Sequence, residues 1–341
     1  MRLASLLFLL VAATISPSRA ASPADAIARG VAFLARSFHV AGYDDEYLRY
    51  VYPGERLECP LPDCRLTYRL IDAYVNLALL DRAGVPHGPA DEQFGISREV
   101  LAAIVPEWRE RGLYDVKRDP EGDGIALDTY CIVGLLGRDR AMADVVAAHL
   151  DGDDWLPDNH YPDEESFRKL ADETWCVRLL DSASRGGRRE VPRLTRLALR
   201  RGLAFLEEDR PAEVRANVGL HLLYLVDDVG GRSLRADRER LRNLLLEFAA
   251  DPELRNDSLT QANILQALAF SGDLPKCAVK DIAERLLRHQ EEDGGWHSRV
   301  EETGTSLRVF TTMRALLALA EYEKLDEPGA RRGRSPREIR R

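Results

Sequence analysis

The chain has 341 residues, of which 45% are hydrophobic and 31% are charged, and its formal net charge at pH 7 is −9. This acidic balance argues against nucleic acid as a partner. Beyond the first 20 residues no stretch is long and apolar enough to cross a bilayer, so no transmembrane segment is expected in the mature protein.

The first 20 residues have the pattern of a cleaved secretory signal peptide. Arg2 is followed by an apolar run from Leu3 to Ala13 and then by the small-x-small sequence Ser18-Arg19-Ala20. Such a run is too short to span a membrane, so residues 1–20 are predicted to be removed on export. The mature protein is therefore expected in the periplasm or outside the cell.

Five cysteines are an odd number and too few for a disulfide-based scaffold. Cys59 and Cys64 flank a short Pro-Leu-Pro-Asp loop, and in an oxidising compartment they are either a disulfide or two thiols. Cys131, Cys176 and Cys277 are expected to act as small buried hydrophobic residues.

Apolar residues recur with the period of an α-helix along most of the chain, and they group into helix pairs at intervals of roughly 45 to 55 residues. No stretch alternates convincingly with the period of a β-strand, so an all-α fold is predicted. The predicted pairs are, in chain order, Ala24–Phe38 with Cys64–Leu80, Ser97–Arg111 with Ala126–Gly137, Ala141–Leu150 with Phe167–Ser182, Val191–Glu207 with Glu213–Val226, Ala236–Ala249 with Ser258–Phe270, and Val279–His289 with Thr305–Ala320.

The two helices of each pair differ in polarity. The first carries its charges on one side, as in Val191–Glu207, and the second is richer in apolar residues all round, as in Ser258–Phe270. A helix that is polar on one face belongs outside, and one that is apolar all round belongs inside. Six outer and six inner helices in alternation predict a single (α/α)6 toroid over residues 21–326, with an open solenoid as the alternative. Residues 327–341 are basic and contain Pro, Gly and Ser, which predicts a disordered tail.

The last pair is joined by the sequence Gln290-Glu291-Glu292-Asp293-Gly294-Gly295-Trp296. With the apolar helix that follows, this segment resembles the QW-type repeat of terpenoid cyclases and of protein prenyltransferase β subunits. A degraded form, Asp151-Gly152-Asp153-Asp154-Trp155, stands at the equivalent place in the third pair. The resemblance covers the repeating region from Ala24 to Leu325 and implies an α/α toroid with a central funnel, a fold that catalytic and binding proteins share.

In such a toroid the amino ends of the inner helices ring one mouth of the funnel, where helix dipoles add positive potential. The acidic candidates there are Asp128, Asp172 and Glu173, and the candidates for lining a ligand are Tyr68, Tyr130, Trp175 and His221. Asp172-Glu173-Thr174 resembles the D-x-D-D-T segment of class II terpenoid cyclases, which implies Asp172 as a general acid. Glu173 and Asp128 would tune it. Capping of the helix starts is the alternative role for these acids.

Zinc is the second implication of the resemblance, because prenyltransferases of this fold bind zinc through Asp, Cys and His near the inner-helix starts. The candidate ligands are Cys131, Cys176 and His221, which fall on neighbouring inner helices. Buried thiols are the favoured interpretation of the two cysteines, and no cofactor is predicted.

Three functions are compatible with this sequence. The first is a divergent enzyme that uses acid chemistry in the central funnel. The second is a non-catalytic toroid that binds a peptide, a glycan or a protein. The third is a carbohydrate-active hydrolase or lyase, which would need two carboxylates about 5 to 10 Å apart across the cavity. The expected ligand in the funnel is a small hydrophobic molecule, a glycan or a peptide.

Overall fold

A computed structural model of the chain describes residues 22–37, 75–86, 127–137, 139–149, 166–183, 191–229, 232–272, 274–298 and 305–326. Within these ranges every regular element is a helix, which confirms the all-α prediction. The α-helices are α1 Pro23–Ser37, α2 over residues 75–83, α3 Leu127–Gly137, α4 Arg140–His149, α5 Ser166–Ala183, α6 Val191–Glu207, α7 Ala212–Val229, α8 Arg235–Ala250, α9 Ser258–Phe270, α10 Lys276–Arg288 and α11 Thr305–Glu323. Short 3₁₀ turns at Arg232–Leu234 and Lys324–Asp326 precede α8 and follow α11.

The helix positions agree with the sequence prediction. Two helices, α6 and α9, begin and end at the predicted residues, and the ends of most others differ by one to three residues. The predicted helix Ser97–Arg111 lies outside the described residues, and the predicted helix Cys64–Leu80 is described only from residue 75 onwards. The predicted signal peptide, the basic tail, Cys59 and Cys64 also lie outside them, so these remain predictions.

The described helices form two layers. In the first layer α3 packs against α5, α5 against α7, α7 against α9, and α9 against α11. In the second layer each helix bridges two neighbours of the first: α4 packs on α3 and α5, α6 on α5 and α7, α8 on α7 and α9, and α10 on α9 and α11. The chain therefore alternates between a continuous inner row and an outer row.

Burial explains which helix enters which row. The inner helix α9 buries nearly its whole surface, whereas the outer helix α10 buries only Val279, Ile282, Ala283 and Leu286. These four residues follow the spacing of a single helical stripe, and the other residues of α10 are exposed or partly exposed. Each fully buried leucine or isoleucine contributes roughly 1.5–3 kcal/mol, so the apolar surface of a helix decides its layer.

The turn between α10 and α11, in the segment 290–296, is held by side-chain hydrogen bonds and by a glycine. Trp296 is fully buried, and its Nε1 donates to the carbonyl oxygen of Leu286 at 2.7 Å. Gln290 Nε2 donates to the carbonyl oxygen of Gly294 at 2.9 Å. Gly294 has φ +93°, in the left-handed region that favours glycine. The turn is thus a rigid link between the last outer and inner helices.

The same turn contacts the first helix of the chain. Gln290 Nε2 also donates to the carbonyl oxygen of Ala26 at 2.8 Å, and Arg36 Nη2 donates to that of Asp293 at 2.6 Å. A Cβ on Gly294 would lie 2.4 Å from the carbonyl oxygen of Arg29, so α1 passes directly over this glycine. Because α1 also packs against α11, the two ends of the described chain are in contact.

The helix α2 belongs to both hydrophobic cores of the described chain. Leu77 and Leu80 pack in the core that includes residues of α1 and α11, and Val75 packs in the core that includes residues of α3 and α5. Arg82 Nη2 donates to the carbonyl oxygen of Leu136, at the end of α3, at 2.6 Å. This helix therefore connects the beginning of the inner row with the terminal helices.

Candidate functional site

The predicted acid residues lie on α3 and α5. The structure describes the backbone of Asp128, Tyr130 and Asp172 but not the surroundings of their side chains, and Tyr68 lies outside the described residues. Their proposed roles therefore remain predictions. The remaining predicted site residues, Glu173, Trp175, Cys131, Cys176 and His221, can be located in full.

Glu173 is fully buried and contacts the outer layer. Arg201 Nη1, on α6, donates to Glu173 Oε1 at 2.7 Å. Because α5 begins at Ser166, Glu173 lies well beyond the first turn of its helix and does not cap it. Its ion pair joins an inner helix to an outer one, which favours a structural role for this carboxylate.

Capping does occur at the start of another inner helix. Asp257 accepts hydrogen bonds from the backbone N–H groups of Leu259 at 3.3 Å and Thr260 at 3.0 Å at the amino end of α9. Ser298 Oγ donates to the same carboxylate at 3.1 Å. An acid at an inner-helix start is therefore a cap in α9, as the alternative interpretation expects.

One face of α7 carries polar and aromatic side chains that are only partly exposed. Its residues Asn217, His221, Tyr224 and Asp228 recur at intervals of three or four positions, so they share one side of the helix. All four are partly exposed, whereas most of the residues between them are buried, among them Leu220, Leu222, Leu223 and Leu225. This face carries polar and aromatic groups in the middle of the inner row.

Side chains of α5 contact this face of α7. Arg314 of α11 lies near enough to His221 and Tyr224 for its charge to act on both. We call the resulting group the central cluster; it consists of Trp175, Arg178, His221, Tyr224, Asp228, Phe310 and Arg314. The rings of Trp175 and His221 meet edge to face with their centres 5.9 Å apart. Trp175 and His221, both predicted to line a ligand, are thus brought together.

Arg178 is the most enclosed charge of the central cluster. Its guanidinium carbon lies 4.1 Å from the centre of the Trp175 ring and 5.1 Å from that of the Tyr224 ring, within the range of cation–π attraction. Its Nε donates to Asp228 Oδ2 at 2.5 Å. Only 7% of the residue is exposed, and its buried Nη1 has no hydrogen-bond partner among the described residues. One donor of this guanidinium is therefore still available.

His221 is neutral at physiological pH. Burial, followed by the positive charges of Arg178 and Arg314, lowers the pKa of His221 from 6.5 to about 3. Its Nδ1 is buried and has no hydrogen-bond partner within the described part of the chain. A neutral imidazole has one donor and one acceptor nitrogen, so it can serve a polar ligand in either role.

Arg314 brings a second guanidinium to the cluster from α11. Its guanidinium carbon lies 5.1 Å from the centre of the Phe310 ring, and its buried Nε has no partner in the described ranges. Burial raises the pKa of Tyr224 above its ordinary value of 10, although Arg314 and Arg178 act in the opposite direction. The Tyr224 phenol therefore remains protonated and can donate a hydrogen bond.

The charges around the cluster leave it positive. Arg178, Arg314 and Lys324 are three cations, and Asp228 and Glu321 are two carboxylates. Asp228 pairs with Arg178, and Glu321 accepts from Lys324 at 3.1 Å. Because these two pairs cancel, the charge that is left over among the described residues is that of Arg314.

The two arginines were not among the sequence-predicted site residues. Each has apolar neighbours in the sequence, Arg178 between Val177 and Leu179 and Arg314 between Met313 and Ala315. A guanidinium between two apolar neighbours in an inner helix is the signal that could have identified them, since charged residues are rarely buried without a role.

Cys131 and Cys176 do come together, on α3 and α5, with their Sγ atoms 3.4 Å apart and both residues fully buried. The part of the chain that the structure describes contains no group of three or more His, Cys, Asp or Glu side chains placed to hold a metal ion. His221 therefore does not join the two cysteines as a third ligand. The burial of both thiols agrees with their predicted packing role. Cys277 was predicted to be buried as well, but it is exposed on the solvent-facing side of the outer helix α10, so that prediction is wrong.

None of the described helices is both long and apolar enough to cross a membrane. Comparisons of the chain with protein-family models, with curated proteins and with solved structures give no match. The central cluster is therefore the feature from which a function can be inferred.

Proposed function

We propose that this protein is a closed (α/α)6 toroid that binds a small organic anion at the central cluster. The ligand carries a carboxylate or phosphate head and an apolar body. Of the ligand classes that the sequence suggests, a small hydrophobic molecule with an acidic head suits the cluster best.

Ring closure is supported by the contacts between the chain ends. The first helix, α1, packs on the last inner helix, α11, and the 290–296 turn forms hydrogen bonds with α1 across more than 250 residues of sequence. In an open solenoid the terminal units would contact only their sequence neighbours. A closed ring also brings the partly exposed faces of α5, α7 and α11 towards a common centre.

An anionic head is favoured by the two guanidinium groups. Arg178 Nη1 and Arg314 Nε are buried donors without partners among the described residues, and the cluster has one net positive charge. Leaving a buried donor unpaired costs about 1–3 kcal/mol, and an anionic oxygen would remove that cost. This pair of unmet buried donors is the observation that carries the proposal.

An apolar or aromatic body is favoured by the rings around those donors. Trp175, Tyr224 and Phe310 each lie against a guanidinium of the cluster, and Phe270 meets Tyr224 edge to face at 5.6 Å. Ligand sites typically combine such apolar walls with a few polar groups that fix orientation. Neutral His221 and the protonated Tyr224 supply these additional polar contacts.

Binding is favoured over acid catalysis because the described carboxylates near the cluster already have structural partners. Asp228 accepts from Arg178, and Glu173 accepts from Arg201 of the outer layer. A general acid must be within reach of the ligand and hold a transferable proton, whereas these two carboxylates are already engaged by arginine side chains. The role of Asp172 as an acid remains a prediction.

The proposal can be tested by isothermal titration calorimetry with four probes: octanoate, octyl phosphate, inorganic phosphate and the neutral octanol. We expect at least one of the octyl anions to bind, and octanol to bind at least about tenfold more weakly, because charge-assisted hydrogen bonds contribute about 1.5–3 kcal/mol each. Comparing octanoate with octyl phosphate identifies the preferred head group. Weak binding of inorganic phosphate would show that the apolar body contributes.

Two variants with the same change in charge complete the test. Arg314→Met should weaken binding of the octyl anion about ten- to hundredfold, since it removes one charge-assisted donor. Arg288→Met removes an exposed arginine of the outer helix α10 and should leave binding unchanged. Equal affinity for octanol and the anions, an unchanged affinity in Arg314→Met, or no binding of either octyl anion would each refute the proposal.

A further inference from the structure

We propose that Cys131 and Cys176 form a disulfide bond that joins α3 to α5 when the protein folds in the presence of a disulfide oxidant. The two Sγ atoms lie 3.4 Å apart across the contact between these inner helices. The bonded distance is about 2.05 Å, so closure needs a shift of just over 1 Å shared by two short side chains. Adjustments of this size lie within small rotations about the Cα–Cβ bonds.

The surroundings of the two sulfurs favour a bond over other roles. Both cysteines are fully buried in the core that includes Val133, Val177 and Leu180. A metal site would require further ligands, and the described residues offer no group of three that could hold an ion. Apolar burial disfavours the thiolate, which argues against a reactive or catalytic thiol in the folded protein.

The same burial indicates when the bond forms. An oxidant cannot reach fully buried sulfurs, so the exchange takes place while α3 and α5 are still assembling. One thiolate attacks oxidised glutathione, releases one glutathione thiolate and forms a mixed disulfide. The second cysteine thiolate then attacks the protein sulfur and releases the second glutathione thiolate. The two protons lost by the cysteines end on the two glutathione molecules, and the protein is oxidised by two electrons.

The bond would close a loop between residues that are 45 positions apart in sequence. A cross-link over this span restricts the unfolded chain and should stabilise the contact between α3 and α5. This pairing differs from the one that the sequence suggests between Cys59 and Cys64. Cys277 is exposed on the outer helix α10, which makes it a natural control for thiol reactivity.

The decisive experiment uses a variant that retains only the two buried cysteines: Cys59→Ala, Cys64→Ala and Cys277→Ala. It is refolded with reduced and oxidised glutathione, quenched with acid, denatured, and alkylated with N-ethylmaleimide. Intact mass spectrometry should find no adduct without prior reduction and two adducts after reduction. Reduction should also lower the thermal midpoint by several degrees. Two adducts without reduction would overturn the proposal.

A second measurement covers the case in which the triple variant fails to fold. The full chain, with all five cysteines, is refolded in the same buffer, digested without reduction and analysed by peptide mass mapping. A cross-linked peptide that joins the segments holding Cys131 and Cys176 supports the proposal. Alkylated Cys131 and Cys176, or bonds from either one to Cys59, Cys64 or Cys277, would overturn it.

Discussion

Replacing Gly294 with alanine tests whether the turn after α10 fastens the first helix of the chain to the last pair. The residue has φ +93°, and an alanine in this backbone conformation would be strained by about 1–2 kcal/mol. Its Cβ would lie 2.4 Å from the carbonyl oxygen of Arg29 and 2.8 Å from the carbonyl carbon. Because these are backbone atoms of α1, the helix itself must move, which adds about 1–3 kcal/mol. The expected loss of unfolding free energy is therefore about 2–5 kcal/mol.

Gly84 provides a matched control for this substitution. It has φ +71°, but nothing lies within 4 Å of a Cβ built on it, so Gly84→Ala should show only the backbone strain of about 1–2 kcal/mol. Urea unfolding followed by circular dichroism measures both losses under the same conditions. An equal loss in the two variants would show that α1 does not pack tightly over the turn, and the argument for contact between the chain ends would fail.

Four further changes follow from the packing and the charges of the core. Gly202→Ala should lower the unfolding free energy by about 1–2 kcal/mol because its Cβ would lie 2.5 Å from Leu222 Cδ1. Gly219→Ala, whose nearest neighbour is 3.4 Å away, should be neutral or stabilising by up to about 1 kcal/mol in the same urea titration. Trp296→Phe removes a buried donor and part of a fully buried ring, and should destabilise by about 2–4 kcal/mol in that assay. His221→Gln should remove about 2 kcal/mol of the stability lost between pH 7.5 and pH 5. In the unfolded chain His221 takes up a proton below about pH 6.5, whereas in the folded protein its pKa is about 3 and it stays neutral. The unfolding free energy therefore decreases as the pH is lowered from 7.5 to 5. Unfolding free energies at the two pH values test this, and an unchanged pH dependence in the variant would contradict it.

The sequence predicted the helices well because their signal is local. Apolar residues recur every three or four positions in α6 and α9, and in both helices the predicted ends are those observed. Turn residues mark the ends of such segments without reference to the rest of the chain. The division into outer and inner helices follows from the same pattern. A helix with one apolar stripe can bury only that stripe, whereas a helix that is apolar all round can bury its whole surface.

The candidate site was predicted less well, because it depends on which way each inner helix is turned. Glu173 was chosen for its place near a helix start, but α5 begins at Ser166 and the carboxylate contacts Arg201 of the outer layer. Arg178, only five residues further on, contacts Trp175 and Tyr224 in the central cluster. The rotation of α5 about its own axis therefore decides that Glu173 contacts the outer layer and that Arg178 belongs to the site. The local sequence does not determine this rotation.

The cysteines illustrate the same limit for pairs of residues. The sequence placed Cys131 and Cys176 at corresponding positions on neighbouring inner helices, which is correct for their helices. Their 3.4 Å separation depends on the crossing of α3 and α5 and on the rotation of both. These quantities are set by side-chain packing along the whole contact and not by the two residues themselves.

The buried donors of Arg178 and Arg314 that lack a partner among the described residues also allow a ligand-binding role to be distinguished from a structural one. A guanidinium with a purely structural role is expected to use its buried N–H groups in hydrogen bonds within the protein. Its removal would lower the unfolding free energy by about 3 kcal/mol or more, as is found when a buried ion pair is broken. A guanidinium whose buried donors bind a ligand has the opposite effect when no ligand is bound. Each donor left unpaired then lowers the unfolding free energy of the ligand-free protein by about 1–3 kcal/mol. Arg314 has an exposed side but no carboxylate bonded to it in the described ranges, and its Nε is buried without a partner. Arg314→Met should therefore leave the unfolding free energy of the ligand-free protein unchanged or higher while it weakens binding of the octyl anion. A loss of several kcal/mol without ligand would mean that Arg314 holds the fold together, and the central cluster would then be part of the core and not a site.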